Sequence, residues 1–243
     1  MRESNEILIE MKMSIQSKKV IFSVAFIIAS LLSCVSVYAG DETNTVEPRT
    51  PEAMFYLGVR YCNGDGVETN FTEAVKWFRK AAERGVSQAM YNLGICYYNG
   101  YGVEKNPYAA VRWYREAAER GVSQAMRKLG DIYYFGCGVA KNPVEAVKWW
   151  HKAADNGDRE LMTMLAYCYR DGDGVEKNPY EAVKWFRKAA ELGDTKAMVC
   201  LGACYCSGEG VARNFTEAER WLRKAAELGN EDAKRFLRDW DRM

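Results

Sequence analysis

Histidine is nearly missing from this chain: one residue in 243, His151. With no second histidine, a Ser-His-Asp, Cys-His or histidine-rich metal site has little to be built from. A charge surplus is missing too. The formal net charge is +1, and the first 39 residues carry four basic and three acidic side chains, so the 34 and 33 of the whole chain become 30 and 30 in the remainder. A phosphate-binding protein draws its affinity from a basic excess that releases counterions, so nucleic acid is not an expected partner. The G-x-G-x-x-G run of dinucleotide sites is lacking. So is S-x-x-K, the serine motif of penicillin-recognising enzymes. Asp171-Gly172-Asp173-Gly174 has the outline of a calcium loop, but Ala182 stands where an EF-hand needs its closing Glu. No metal and no cofactor are expected.

Long hydrophobic runs are also scarce. The longest uncharged stretch of this kind, Val20 to Leu32, has 13 residues and follows Lys18 and Lys19. A membrane-spanning helix needs about 20 apolar residues, so this run has the length of a signal-peptide core. Val37-Tyr38-Ala39 supplies a small-residue cleavage site. Residues 1–39 are therefore expected to be a removable export signal, followed by a polar tether over 40–49. Leu31-Leu32-Ser33-Cys34 also resembles a bacterial lipobox, in which Cys34 would carry a lipid anchor. An uncleaved signal serving as anchor is the third reading. All three predict a periplasmic or extracellular protein.

What the chain does have is repetition. Trp77, Trp113, Trp149, Trp185 and Trp221 are spaced by 36 residues, as are Gly66, Gly102, Gly138, Gly174 and Gly210. Five copies in register define one architecture before any residue is interpreted. In the second copy, Met90, Leu93, Gly94 and Tyr97 fall at i, i+3, i+4 and i+7, one apolar helical stripe. Gly94 costs about 1 kcal/mol of helix propensity against Ala. Its recurrence as Gly58, Gly130 and Gly202, with Ala166 in the fourth copy, predicts close approach of a partner helix. Gly100 and Gly102 break that helix, because glycine reaches left-handed backbone without steric cost. A second helix follows. Asn106-Pro107, Asn142-Pro143 and Asn178-Pro179 place Asn at N-cap and Pro at N1. Glu73, Glu145, Glu181 and Glu217 stand three residues beyond an Asn, which is capping-box spacing. Alanine pairs such as Ala81-Ala82 let neighbouring helices approach, with the Trp filling the gap between repeats.

The pattern A-x-x-x-L-G-x-x-Y-x-x-G-x-G-V…A-x-x-W-x-x-K-A-A-x-x-G, matched almost throughout by Ala89 to Gly121, resembles the Sel1-like repeat, a relative of the tetratricopeptide repeat. Two departures are Glu116, where the pattern has Lys, and Leu161, where it has Ala. The resemblance implies an all-α, right-handed α-α superhelical solenoid of five helix-turn-helix repeats, at approximately 51–88, 89–124, 125–160, 161–196 and 197–232. Residues 233–243 form a polar capping helix, as solenoid ends require. Register also recasts the histidine. His151 occupies a slot held by Arg79, Arg115, Arg187 and Arg223, and so reads as a solvent-facing position.

Seven cysteines lie beyond residue 39. Cys96, Cys168 and Cys204 share a slot that holds Ile132 in the third copy, which marks them as small apolar filler. Cysteine-rich relatives pair cysteines at slots where this chain has Ala82, Ala118, Ala154 and Ala190, so their disulfide scaffold does not transfer. One local bridge, within Cys200, Cys204 and Cys206 or between Cys62 and Cys96, stays open.

If the first helices line a concave face, as the resemblance implies, the residues between their core positions point into a groove. These are Tyr91, Ile95, Tyr98 and Asn99; Arg127, Asp131, Tyr134 and Phe135; and Thr163, Tyr167, Arg170 and Asp171. They differ from copy to copy, and Tyr and Arg are prominent among them, as on a binding surface. The expected function is non-enzymatic: an exported scaffold binding a peptide, an envelope protein or a cell-wall fragment. Membrane association is expected only through Cys34 or an uncleaved signal. The alternative is a weak β-lactam-binding or hydrolysing enzyme, as linked to cysteine-rich relatives.

Overall fold

The structure, a computed structural model, describes residues 48–240. The expected export signal, Cys34 and most of the expected tether lie outside the described residues. Within them the chain forms eleven α-helices and no strand. The first repeat pairs α1 (Pro51–Asn63) with α2 (Phe71–Glu83), and the second pairs α3 (Ser87–Asn99) with α4 (Pro107–Glu119). The third pairs α5 (Ser123–Phe135) with α6 (Pro143–Asp155), the fourth α7 (Arg159–Asp171) with α8 (Pro179–Glu191). The fifth pairs α9 (Thr195–Ser207) with α10 (Phe215–Glu227), and α11 (Glu231–Trp240) closes the series. Each first helix packs on its own second helix, and each second helix packs on the next first helix. That is the contact order of an α-solenoid.

Caps explain why the helices start and stop where they do. Asn70, Asn106, Asn142, Asn178 and Asn214 each accept a side-chain hydrogen bond from the amide three residues on. Only this half of the capping box forms. The N–H of each capping Asn donates instead to the carbonyl of a first-helix tyrosine, Tyr61, Tyr97, Tyr133, Tyr169 or Tyr205. The glutamates therefore turn outward: Glu145 pairs with Lys148 and accepts from Trp149 Nε1, while Glu181 pairs with Lys184. First helices end on glycine in the left-handed region, as at Gly100 (φ 83°).

The small residue in each first helix has the predicted packing role. A Cβ on Gly94 would lie 2.5 Å from the ring of Tyr114, and one on Gly58 would lie 2.7 Å from Phe78. Phe78, Tyr114, Trp150, Phe186 and Leu222 hold one slot, and all are essentially fully buried. Fully burying a side chain of this kind contributes about 1.5–3 kcal/mol, more than the helix propensity that glycine forfeits. The second loop glycine serves the joint between repeats. A Cβ on Gly102 would overlap the Phe71 carbonyl at the start of α2, and Gly138 sits likewise on Pro107. A backbone that rests on its neighbour leaves no room there for a phosphate.

The tryptophans are covered from outside by cations one helical turn on. Lys80, Lys152 and Lys188 lie 4.1–4.2 Å from the ring centroids of Trp77, Trp149 and Trp185. Where Glu116 replaces that lysine, Arg112 reaches over Trp113 from the other side, at 5.2 Å. Both ends of the stack are polar. In the slot filled by buried Cys96, Ile132, Cys168 and Cys204, α1 has the exposed Arg60, which folds onto the Asp65 carbonyl. In α11 the small-residue slot holds Arg238, so this helix does not offer the seat that a further second helix would need.

Candidate functional site

Positions predicted to line a groove lie along one flank of the first helices, and several of them make contacts within a repeat or across a joint. Tyr91 packs on Tyr114 and feels the charges of Arg127 and Asp131 from the next repeat; burial is what chiefly raises its hydroxyl pKa. Burial first, and the neighbouring Cys137 thiol second, push the Tyr98 hydroxyl up to about 12. Asp131 accepts from the indole N–H of Trp150 at 3.3 Å, which ties the flank to the core. Tyr134 donates to Asp173 at 2.6 Å across the joint between the third and fourth repeats. That bond first, and burial second, push it up to about 12. Its ring stands edge-on to Phe135, which is 62% exposed. Further along, Arg170 lies over the Tyr167 ring at 4.8 Å and holds Asp171 by two hydrogen bonds, lowering that carboxyl's pKa. The Tyr167 hydroxyl meets the Cys200 sulfur at 3.2 Å, and burial raises its pKa strongly.

Two positions are engaged by the following repeat rather than left open. Thr163 is 6% exposed, its hydroxyl donating to Asp194, the N-cap of α9. Arg127 occupies the equivalent slot and grips Asp158, the N-cap of α7, together with Glu160. This slot therefore faces the following repeat, because the next first helix begins directly beside it. Asn99 stays exposed, with one side-chain N–H donating to the Ile95 carbonyl of its own helix. Asn99, Phe135 and Asp171 are exposed, and Tyr91, Ile95, Tyr98, Arg127, Asp131, Tyr134, Tyr167 and Arg170 keep half-exposed side chains.

The histidine slot also differs from its sequence reading. It is a joint. Arg79, Arg115 and Arg187 each donate to a tyrosine hydroxyl of the next repeat, Tyr97, Tyr133 and Tyr205, at 2.7 Å. His151 makes the corresponding contact with Tyr169 at 2.9 Å. A recurring offset of 18 residues between Arg and Tyr is the signal that could have exposed these pairs.

All seven cysteines within the described residues are free thiols. Cys96 and Cys168 are buried and pushed up to about 12, Cys62 and Cys204 to about 11, in each case mainly by burial. Such thiols are poor nucleophiles and act as packing residues. Among the described residues no helix is long and apolar enough to cross a membrane.

Helix pairs stacked in one direction, with a half-exposed and variable flank, define an α-solenoid of the kind that presents an extended surface to other macromolecules. The Sel1 repeat model matches at 51–86, 87–122, 123–158, 160–194 and 195–230, and the chain belongs to the Sel1 repeat family. Proteins of this family are generally interaction scaffolds. The chain is similar to c5321, a protective antigen of uropathogenic Escherichia coli with an SLR fold, at 38% identity and a TM-score of 0.68. That match covers 75% of this chain and 39% of the antigen, so the chain spans about two fifths of its length. It is also similar to a Sel1 repeat protein of Oxalobacter formigenes, at 38% identity, a TM-score of 0.67 and 74% of each chain. No curated protein matches it.

Proposed function

We propose that the chain is an exported protein-interaction scaffold that binds a partner, as a peptide or an envelope protein segment, along the flank of its first helices. One observation carries this reading. The core slots stay apolar from copy to copy, whereas the flank changes in chemical character from Ile95, Tyr98 and Asn99 to Asp131, Tyr134 and Phe135, and then to Tyr167, Arg170 and Asp171. Packing makes the same demand in every repeat, so a surface that varies serves something else. Tyrosine and arginine are also the side chains that most often dominate binding energy at interfaces. Export is supported by Lys18, Lys19, the 13-residue apolar run and the Ala39 cleavage site.

Crosslinking in the native envelope, followed by capture with wild-type and altered protein, tests the reading. Phe135→Ala and Arg170→Ala should reduce capture of at least one partner while leaving the melting curve nearly unchanged. Tyr98→Ala, added to them, should abolish it. An unchanged partner set from a folded triple variant would refute the flank as the binding face. An intact Met1 or Met13 on the mature protein would refute cleavage.

A further inference from the structure

Four inter-repeat contacts of one kind run along the solenoid, and three of them use a guanidinium. Arg79, Arg115 and Arg187 reach Tyr97, Tyr133 and Tyr205 from exposed positions on their helices. Arginine holds its charge at every physiological pH. The third joint, between α6 and α7, uses His151 on Tyr169 instead. The imidazole is shorter than an arginine side chain, and His151 sits deeper than the exposed arginines of the other joints. It is half-buried, edge-on to Tyr169 at 5.7 Å and to Trp185 of α8 at 5.2 Å.

We propose that His151 makes the joint between the third and fourth repeats a proton-sensitive hinge, which loosens on mild acidification while the arginine joints hold. A neutral ring can accept from the Tyr169 hydroxyl or donate to it. A protonated ring can still donate to that hydroxyl, as the guanidiniums do, but it brings a charge into a half-buried aromatic pocket. The groups facing it are Asp155 on its own helix, Tyr169 on α7, and Glu181, Trp185 and Lys188 on α8. Burial disfavours the charged ring most and Lys188 adds to that, against the opposing pull of Asp155 and Glu181, so its pKa is lowered. A lowered pKa means that the folded joint binds fewer protons than the unfolded chain. The histidine's stabilising contribution is complete above the unfolded value of about 6.5 and is lost as pH falls from there towards the lowered one. The candidate binding flank crosses this joint through the Tyr134–Asp173 bond, so hinge motion would change the spacing of its two halves.

Amide hydrogen exchange of the whole chain, corrected for intrinsic pH dependence and compared between about pH 7.5 and about pH 5, tests the proposal. Wild type is expected to lose protection several-fold in α6 and α7 relative to α4 and α5. His151→Arg should show no such local loss, because it installs the guanidinium used elsewhere. His151→Gln, neutral at both pH values, should show none either. Unchanged protection in wild type, a loss spread evenly over all joints, or the same local loss in His151→Arg or His151→Gln would each overturn it.

Discussion

The indole of Trp150 occupies the space that a Cβ at position 130 would need, and its N–H donates to Asp131 one residue further along α5. Glycine at 130 is thus set by the size of a residue on the partner helix. Gly130→Ala gains about 1 kcal/mol of helix propensity but overpacks the pair, at a cost of about 1–3 kcal/mol. The expected net result is destabilisation, read as a lower urea midpoint with an unchanged m-value. The fourth repeat combines Ala166 with Phe186 in the same slots. Gly130→Ala with Trp150→Phe should therefore be less destabilised than the sum of the single changes, by about 0.5–3 kcal/mol in a double-mutant cycle.

Tyr134→Phe removes the donor to Asp173. With the side chain half in water, the expected cost is about 1 kcal/mol. Alkaline titration followed by tyrosinate absorbance gives a second readout. Tyr134 is pushed up from 10 to about 12, so its contribution is complete below the ordinary value and fades as pH rises through the upper one. The variant should lose a late-titrating tyrosine.

Asp194→Ala removes three hydrogen bonds at once, to the amides of Lys196 and Ala197 and to the Thr163 hydroxyl. Loss of the cap costs about 1 kcal/mol, and the buried Thr163 hydroxyl left behind adds roughly 1–3 kcal/mol. Adding Thr163→Val should return part of the second amount in thermal unfolding. Equal stability of the single and double variants would show that the threonine contact contributes nothing.

Thiol labelling checks the cysteine assignment. In the native protein Cys96 and Cys168, 4% and 3% exposed, should resist a disulfide reagent, whereas all seven cysteines of the repeats should react once unfolded. A bridge within Cys200, Cys204 and Cys206, or from Cys62 to Cys96, would lower the unfolded count by two.

Repeat, helix order, caps and core slots were legible because each follows from periodicity along one chain. The Gly94 slot was readable as a close approach, since glycine inside a helix needs a compensating reason. Contacts across a joint were harder. Arg115 and Tyr133 each recur, but recurrence alone does not say that one meets the other. The capping glutamates misled for a related reason: the amide they would have capped is taken by a tyrosine carbonyl of the paired helix. Thr163 and Arg127 read as groove residues because their own helix leaves them open, and only the start of the following helix covers them.

Most joints share contacts built on slots that recur at 36, so whole repeats are interchangeable units of length. Excision of residues 87–122 would bring Arg79 to Tyr133 and the Phe71 carbonyl to Gly138, substituting one familiar junction for another. Unequal recombination between such copies can shorten or extend the strip of variable side chains in fixed steps, with no new interface to be invented. The reach of the molecule along a partner can therefore evolve separately from the identity of the side chains that touch it.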